Sequence, residues 1–130
     1  MQAIFDASVF VRALADGEPA AAQWVARALD DVEVSVPSLV FAEVGNALAG
    51  YVRAAKLPAS GALRRLDFTV RLPHHVTEIG ELAPAALGVA ISRGLSVYDA
   101  CYAVLAEAED AVLVTADRRL AAAVTRAEIV

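Results

Sequence analysis

The chain has 130 residues, 58% of them hydrophobic, and a net charge of −5. That length suits one domain, able to bury roughly two-thirds of its unfolded surface without staples, and the acidic balance excludes a simple basic nucleic-acid binder. The single cysteine, Cys101, excludes an internal disulfide or a thiolate metal cluster. Charges interrupt every run long enough to span a membrane, at Glu43 in one candidate and at Arg93 and Asp99 in the other. The start, Met1 to Asp6, lacks the basic flank of a signal peptide, so a cytoplasmic protein with no membrane segment is expected. The apolar excess, much of it alanine, leaves surface for a partner or for self-association.

The first strand is expected over Gln2 to Phe5, ending at Asp6. A short helix carries Val9, Phe10 and Leu14 and stops near Asp16-Gly17. Glu18-Pro19 opens a second helix, to about Leu29, with Pro19 suited to a first turn. A strand over Val32 to Val36 leads, through Pro37-Ser38, into a long helix to about Ala55. Pro58 opens another, to about Val70. Val76 to Ile79 reads as a third strand, and Pro84 to Arg93 as a helix closed by Gly94. Ser96 begins a helix to about Ala108, Ala111 to Thr115 is a fourth strand, and Asp117 to Val124 a last helix. Glu128 to Val130 supplies an edge strand. Strands alternating with helices imply a parallel sheet covered on both faces, an open, doubly wound α/β/α sandwich in one domain over residues 1–130. Ligands in such sheets bind outside the carboxyl ends of the strands, where Asp6 and Asp117 fall.

Four carboxylates stand out. Asp6, Asp99 and Asp117 each sit at an expected helix N-terminus, where aspartate is favoured as a cap or by the helix dipole. Asp99 also completes Ser96-x-x-Asp99, a capping-box pattern. Each alone reads as a structural residue. Glu43 differs: its helical neighbours are Leu39, Val40, Asn46 and Ala47, an inward face on which an unpaired carboxylate is costly. Arg53 lies too far along the helix to pair with it, so a bound cation is the expected compensation. Two carboxylates about 4 Å apart repel by about 4 kcal/mol at an effective dielectric of about 20. Converging acids therefore imply a counter-cation, and all-oxygen ligands select magnesium or manganese over zinc.

Other signals fall away. Gly45 and Gly50 have the spacing of half a P-loop, but Tyr51-Val52 replace the required Lys-Ser/Thr and the segment is mid-helix. His74 and His75 would point to opposite faces of a strand and cannot share an ion. Cys101 and Trp24 read as packing residues. A haloacid-dehalogenase-like phosphatase would need an acid where Ser8 stands, and a response-regulator receiver a late-strand lysine, whereas Lys56 is the chain's one lysine.

The blocks Phe5-Asp6-Ala7-Ser8-Val9-Phe10-Val11, Ser38 to Leu48, Leu95 to Ala103 and Leu113 to Leu120 together resemble the PIN-domain nucleases, and among them the VapC-type toxins of toxin–antitoxin pairs. The resemblance spans essentially the whole chain. It implies that Asp6, Glu43, Asp99 and Asp117 hold Mg2+ or Mn2+ and carry out hydrolysis of RNA phosphodiesters by metal-activated water. It also implies products ending in 5′-phosphate and 3′-hydroxyl. Ser8 and Thr115 match the family's hydroxyl positions, expected to bond a metal-bound water or a phosphate oxygen. Asp99 is the expected general base. The further acid that some members carry after the last one has no counterpart, since residues 121–125 contain none. Arg12, Arg118 and Arg119 lie nearest the site in sequence and are candidate RNA contacts. A cognate antitoxin and a homodimer are the implied protein partners. The competing reading is a PIN-like interaction module that no longer cleaves, against which stands the retention of all four acids.

Overall fold

Short runs of β-branched and apolar residues buried on both faces form the centre of the sheet, as expected of strands covered by helices on each side. The computed structural model describes residues 1–130. In chain order the elements are β1 (Gln2–Phe5), α1 (Ala7–Leu14), α2 (Pro19–Ala28), β2 (Glu33–Pro37), α3 (Leu39–Arg53) and α4 (Ala59–Arg71). There follow β3 (His75–Thr77), α5 (Ile79–Arg93), α6 (Val97–Ala108), β4 (Val112–Thr115), α7 (Arg118–Ala122) and β5 (Ala127–Ile129). All five strands are parallel, in the order β3-β2-β1-β4-β5. The chain winds outward from β1 to β3, then returns through α5 and α6 to place β4 on the other side of β1. The strand order therefore reverses between β1 and β4, and the crevice at their carboxyl ends is the expected ligand site of such a sheet.

Helix α1 packs on β1, β4, α2 and α3, while α6 packs on β1, β2, β4 and α5. The core between them is built on Phe5, Phe10, Tyr102, Ile4 and Leu113, all essentially buried. Phe5 meets Phe10 and Trp24 edge-on, at ring separations of 5.8 and 6.2 Å, which makes Trp24 a packing residue. No single helix is long and apolar enough to cross a membrane; α5 and α6 reach that length only together, and they meet at 107°.

The expected three-layer α/β/α fold is present, with four boundary corrections. Helix α5 begins at Ile79, not Pro84, and β3 ends at Thr77. Pro84 has the local signature of a helix start but lies inside α5; the first turn is instead met by Ser38 Oγ, 41 positions away in sequence, which accepts the Ile79 N–H at 3.0 Å. Helix α7 stops at Ala122, short of Val124, and β5 is Ala127–Ile129. His74 precedes β3 and its Nδ1 accepts the Val34 N–H at 2.9 Å, while His75 bonds Glu33, so the two rings serve separate partners.

Helix α3 ends in a reciprocal backbone clasp: Lys56 N–H donates to Tyr51 C=O at 2.8 Å and Ala55 N–H to Val52 C=O at 3.0 Å. The clasp requires a left-handed residue, and Ala55 supplies it at φ 58°. A left-handed conformation costs a non-glycine residue about 1–2 kcal/mol, part of which glycine returns through unfolded-chain entropy. Ala55→Gly is therefore expected to stabilise the fold by about 0.5–1 kcal/mol, read as an increase in the urea midpoint at unchanged slope.

Candidate active site

Asp6 leaves β1 in extended conformation and caps α1, its Oδ1 accepting the Ser8 N–H at 3.0 Å. It is only 7% exposed, so each oxygen needs donors. The Ser8 hydroxyl also donates to Oδ1, and the Thr115 hydroxyl, at the end of β4, donates to Oδ2. Both hydroxyls accept in turn: Ser8 Oγ from the Ala116 N–H at 2.8 Å, and Thr115 Oγ1 from the Asp117 N–H at 2.9 Å. The ends of β1 and β4 and the loop entering α7 are thus held by one carboxylate and two hydroxyls. Burial pushes the Asp6 carboxyl above its usual range, although all four hydrogen bonds to it act the other way. The protons of Ser8 and Thr115, expected on a water or a phosphate, are here given to Asp6.

Asp117 caps α7 through Oδ1 alone, which accepts the N–H groups of Arg119 and Leu120 at 2.9 and 3.1 Å. The Ser96-x-x-Asp99 pattern is half a capping box: Ser96 Oγ accepts the Asp99 N–H at 3.0 Å, but the Asp99 carboxylate returns no bond to the Ser96 N–H. That carboxylate accepts no backbone N–H at the start of α6; its one hydrogen-bonding neighbour is the Ser96 hydroxyl. Burial pushes it up, the Asp117 charge adds to the effect, and the Ser96 hydrogen bond and Arg119 act against it.

Glu43 projects from the second turn of α3, beside the buried stripe Val40, Val44 and Leu48. One of its oxygens, Oε1, accepts a hydrogen bond from a neutral donor, the hydroxyl of Tyr102. Tyr102 is 1% exposed, and burial together with the charges of Glu43, Asp6 and Asp99 drives its phenol far above the ordinary value, so it acts as the donor. Reading the residues one by one missed Tyr102. The available signal was its spacing, three residues after Asp99 on one helix. Burial also pushes the Glu43 carboxyl up, and the charges of Asp6 and Asp99 push in the same direction.

The four acids therefore feel one another across the carboxyl edge of the sheet, and none is in an ion pair with lysine or arginine. Of the three arginines considered for RNA, Arg12 donates to the Val130 carbonyl at 3.3 Å and Arg119 to the Gly94 carbonyl. Arg118, exposed beside Asp117, makes no hydrogen bond or ion pair to the protein. The donor set fits a hard divalent cation: oxygen only, uncompensated by lysine or arginine, with one oxygen each of Glu43 and Asp117 unused by the protein and Asp99 meeting only the Ser96 hydroxyl. No three acidic, histidine or cysteine side chains are drawn together tightly enough to ligate one ion among themselves. An ion here would be held by one or two carboxylates and would complete its shell with water, as magnesium does.

Because Asp6, Glu43 and Asp99 all bind protons more readily folded than unfolded, they contribute stability at low pH that is lost as pH rises through their raised values. In chelator, the melting temperature is expected to rise as pH falls from about 7 to about 5. Glu18, Asp31 and Glu33, held low by the Ala21 N–H, Arg27 and His75 respectively, reverse the trend only below the ordinary carboxylate range. A flat or falling profile between these limits would contradict the buried cluster.

The family model of the PIN domain matches residues 3–125. The chain is 33% identical to ribonuclease VapC1 of Mycobacterium tuberculosis over 124 residues, 94% of this chain and 90% of that one. It is 39% identical to exonuclease VapC9 of Pyrobaculum aerophilum over 90 residues, which span 69% of this chain and 66% of that relative. Among solved structures, PAE2754 from Pyrobaculum aerophilum superposes with a TM-score of 0.76 at 28% identity, over 99% of this chain and 89% of that one. VapBC2 from Rickettsia felis, bound to a promoter DNA fragment, does so at 0.72 and 16%, covering 100% and 99%. By its fold and these likenesses, the chain belongs to the PIN-domain family, in its VapC-type branch.

Proposed function

We propose that this chain is a single-domain, divalent-metal-dependent endoribonuclease, the toxin of a toxin–antitoxin pair, acting in the cytoplasm. The observation that carries the reading is the uncompensated cluster of Asp6, Glu43, Asp99 and Asp117 at the switch point of the sheet. These four residues would hold Mg2+ or Mn2+, which when bound lowers the pKa of a coordinated water and offsets charge on the phosphate. Asp99, which accepts no backbone N–H and meets only the Ser96 hydroxyl, is the group assigned to take the proton of the attacking water. Attack of the water oxygen on phosphorus would break the P–O3′ bond, and the departing O3′ would take a proton from solvent, leaving 5′-phosphate and 3′-hydroxyl ends. Ser8 and Thr115 act by fixing Asp6, and Arg118 supplies a free positive charge at the rim for an RNA phosphate.

The two relatives' names differ on one point, exonuclease against ribonuclease. A covalently closed RNA circle separates the alternatives, since only an endonuclease opens it. With Mg2+ or Mn2+ the protein is expected to linearise the circle, and Asp99→Asn to lose at least about 100-fold in kcat, the scale of a lost general base. Cleavage that survives both chelator and Asp99→Asn would remove this site from the reaction. Arg118→Ala is expected to raise KM with little change in kcat and to lower the slope of binding against salt by about 1. An unchanged slope would place the RNA elsewhere.

Partner proteins are supported by surface rather than by the site. An apolar groove of about 380 Å³ runs between α3 and α4, lined by Leu48, Val52, Leu63 and Leu66, and α5 exposes Leu87 and Ile91. Exposed apolar patches of this kind mark association surfaces, in keeping with an antitoxin and a homodimer.

A further inference from the structure

We propose that Tyr102 is a positioning residue of the site: by donating its phenolic hydrogen to Oε1 of Glu43, it fixes that carboxylate on the inward face of α3 and reserves Oε2 for the ion. This inference rests on the metal-dependent reading of the carboxylate cluster. Three observations carry it. Tyr102 is among the largest fully buried side chains, so its ring is immobilised between α6 and the sheet. Its hydroxyl is the one protein donor to Glu43, and Oε2 of Glu43 accepts nothing from the protein. Its helix also carries Asp99 one turn earlier, so a single rigid element presents one acid and orients another.

The physical advantage is preorganisation. Glutamate loses more rotamer freedom on being fixed than aspartate, because it has one more rotatable bond. Asp6 and Asp117 are pinned by backbone N–H groups at helix starts. Glu43, in the middle of a helix, has no free backbone donor nearby, and a side chain must supply one. Tyrosine is suited to this: its ring is apolar enough for the core and its hydroxyl reaches the edge of the site. A neutral donor also leaves the negative charge of Glu43 undiminished for a cation, which an arginine at this position would not. Partners that orient a ligating side chain typically contribute 10–100-fold to metal affinity.

The test is a double-mutant cycle on the full chain: wild type, Tyr102→Phe, Glu43→Gln and both together. Mn2+ affinity is read by calorimetry and folding by melting in chelator. Tyr102→Phe is expected to weaken Mn2+ binding by about 10-fold while the melt stays cooperative. Because Tyr102 acts through Glu43, adding Tyr102→Phe to Glu43→Gln is expected to weaken binding no further. Equal losses in the two backgrounds would show a general packing effect and overturn the proposal, as would unchanged affinity in Tyr102→Phe. If the wild type binds no Mn2+, or Glu43→Gln binds as the wild type does, the metal site itself is wrong and the proposal falls with it. Loss confined to Tyr102→Phe variants that melt without cooperativity is resolved by Tyr102→Met, which keeps apolar volume without a donor: it must reproduce the deficit in a folded protein, and wild-type affinity there overturns the assignment.

Discussion

The site depends on keeping an aspartate carboxylate inside the protein. Asp6 is nearly inaccessible, and a buried charge without donors is disfavoured by several kcal/mol or more. The solution is a relay in which two hydroxyls each give a hydrogen to Asp6 and each take one from a backbone N–H of the β4–α7 loop. Removing either hydroxyl would take one donor from Asp6 and leave an amide of the loop without its acceptor, at about 1–3 kcal/mol per buried group left unpaired. The relay therefore ties the geometry of the site to the stability of the sheet. The loop that carries Asp117 cannot shift without breaking its N–H bonds to the Ser8 and Thr115 hydroxyls that hold Asp6.

The remaining acids follow the same economy. Asp117 and Glu43 are each held through one oxygen, by a helix N-terminus and by a tyrosine, and Asp99 has only the Ser96 hydroxyl beside it. Each holding group is neutral. The protein thus orients most of its carboxylates without neutralising them, and leaves their mutual repulsion to be answered from outside. Such a cluster is unfavourable in the free protein, which is the ordinary relation between a preorganised site and a fold of marginal stability.

An acidic chain that acts on a polyanion needs charge in the right place rather than in excess. Most arginines are committed to the structure: Arg93 to Glu107 and the Ala123 carbonyl, Arg65 to the Leu14 and Gly61 carbonyls, Arg126 to Asp110, and Arg119 to the end of α5. Arg119 also lies close enough to Asp99 to favour its charged form. Arg118 remains uncommitted at the rim. The division between structural and available positive charge is a property of the folded surface, since Arg118 and Arg119 are adjacent in sequence.

The alternation of short apolar strands with helices, the parallel sheet, and three acids following strand ends or opening helices were all legible in the sequence. They depend on local periodicity and on the preference of aspartate for helix starts, which act within a few residues. The unusual place of Glu43 was legible too, because helical spacing alone put it among apolar neighbours. What local spacing could not decide was long-range pairing. Tyr102 meets Glu43 across 59 positions, Thr115 meets Asp6 across 109, and Ser38 sets the first turn of α5 from another strand's end. Pro84 misled for the same reason: it is a start signal by local rule, overridden by a distant hydroxyl. The sequence by itself determined which elements form and which acids reach the sheet's edge. Only the tertiary structure decided who holds each carboxylate, because a hydrogen bond between distant segments depends on how the strands are ordered, not on the spacing within any one of them.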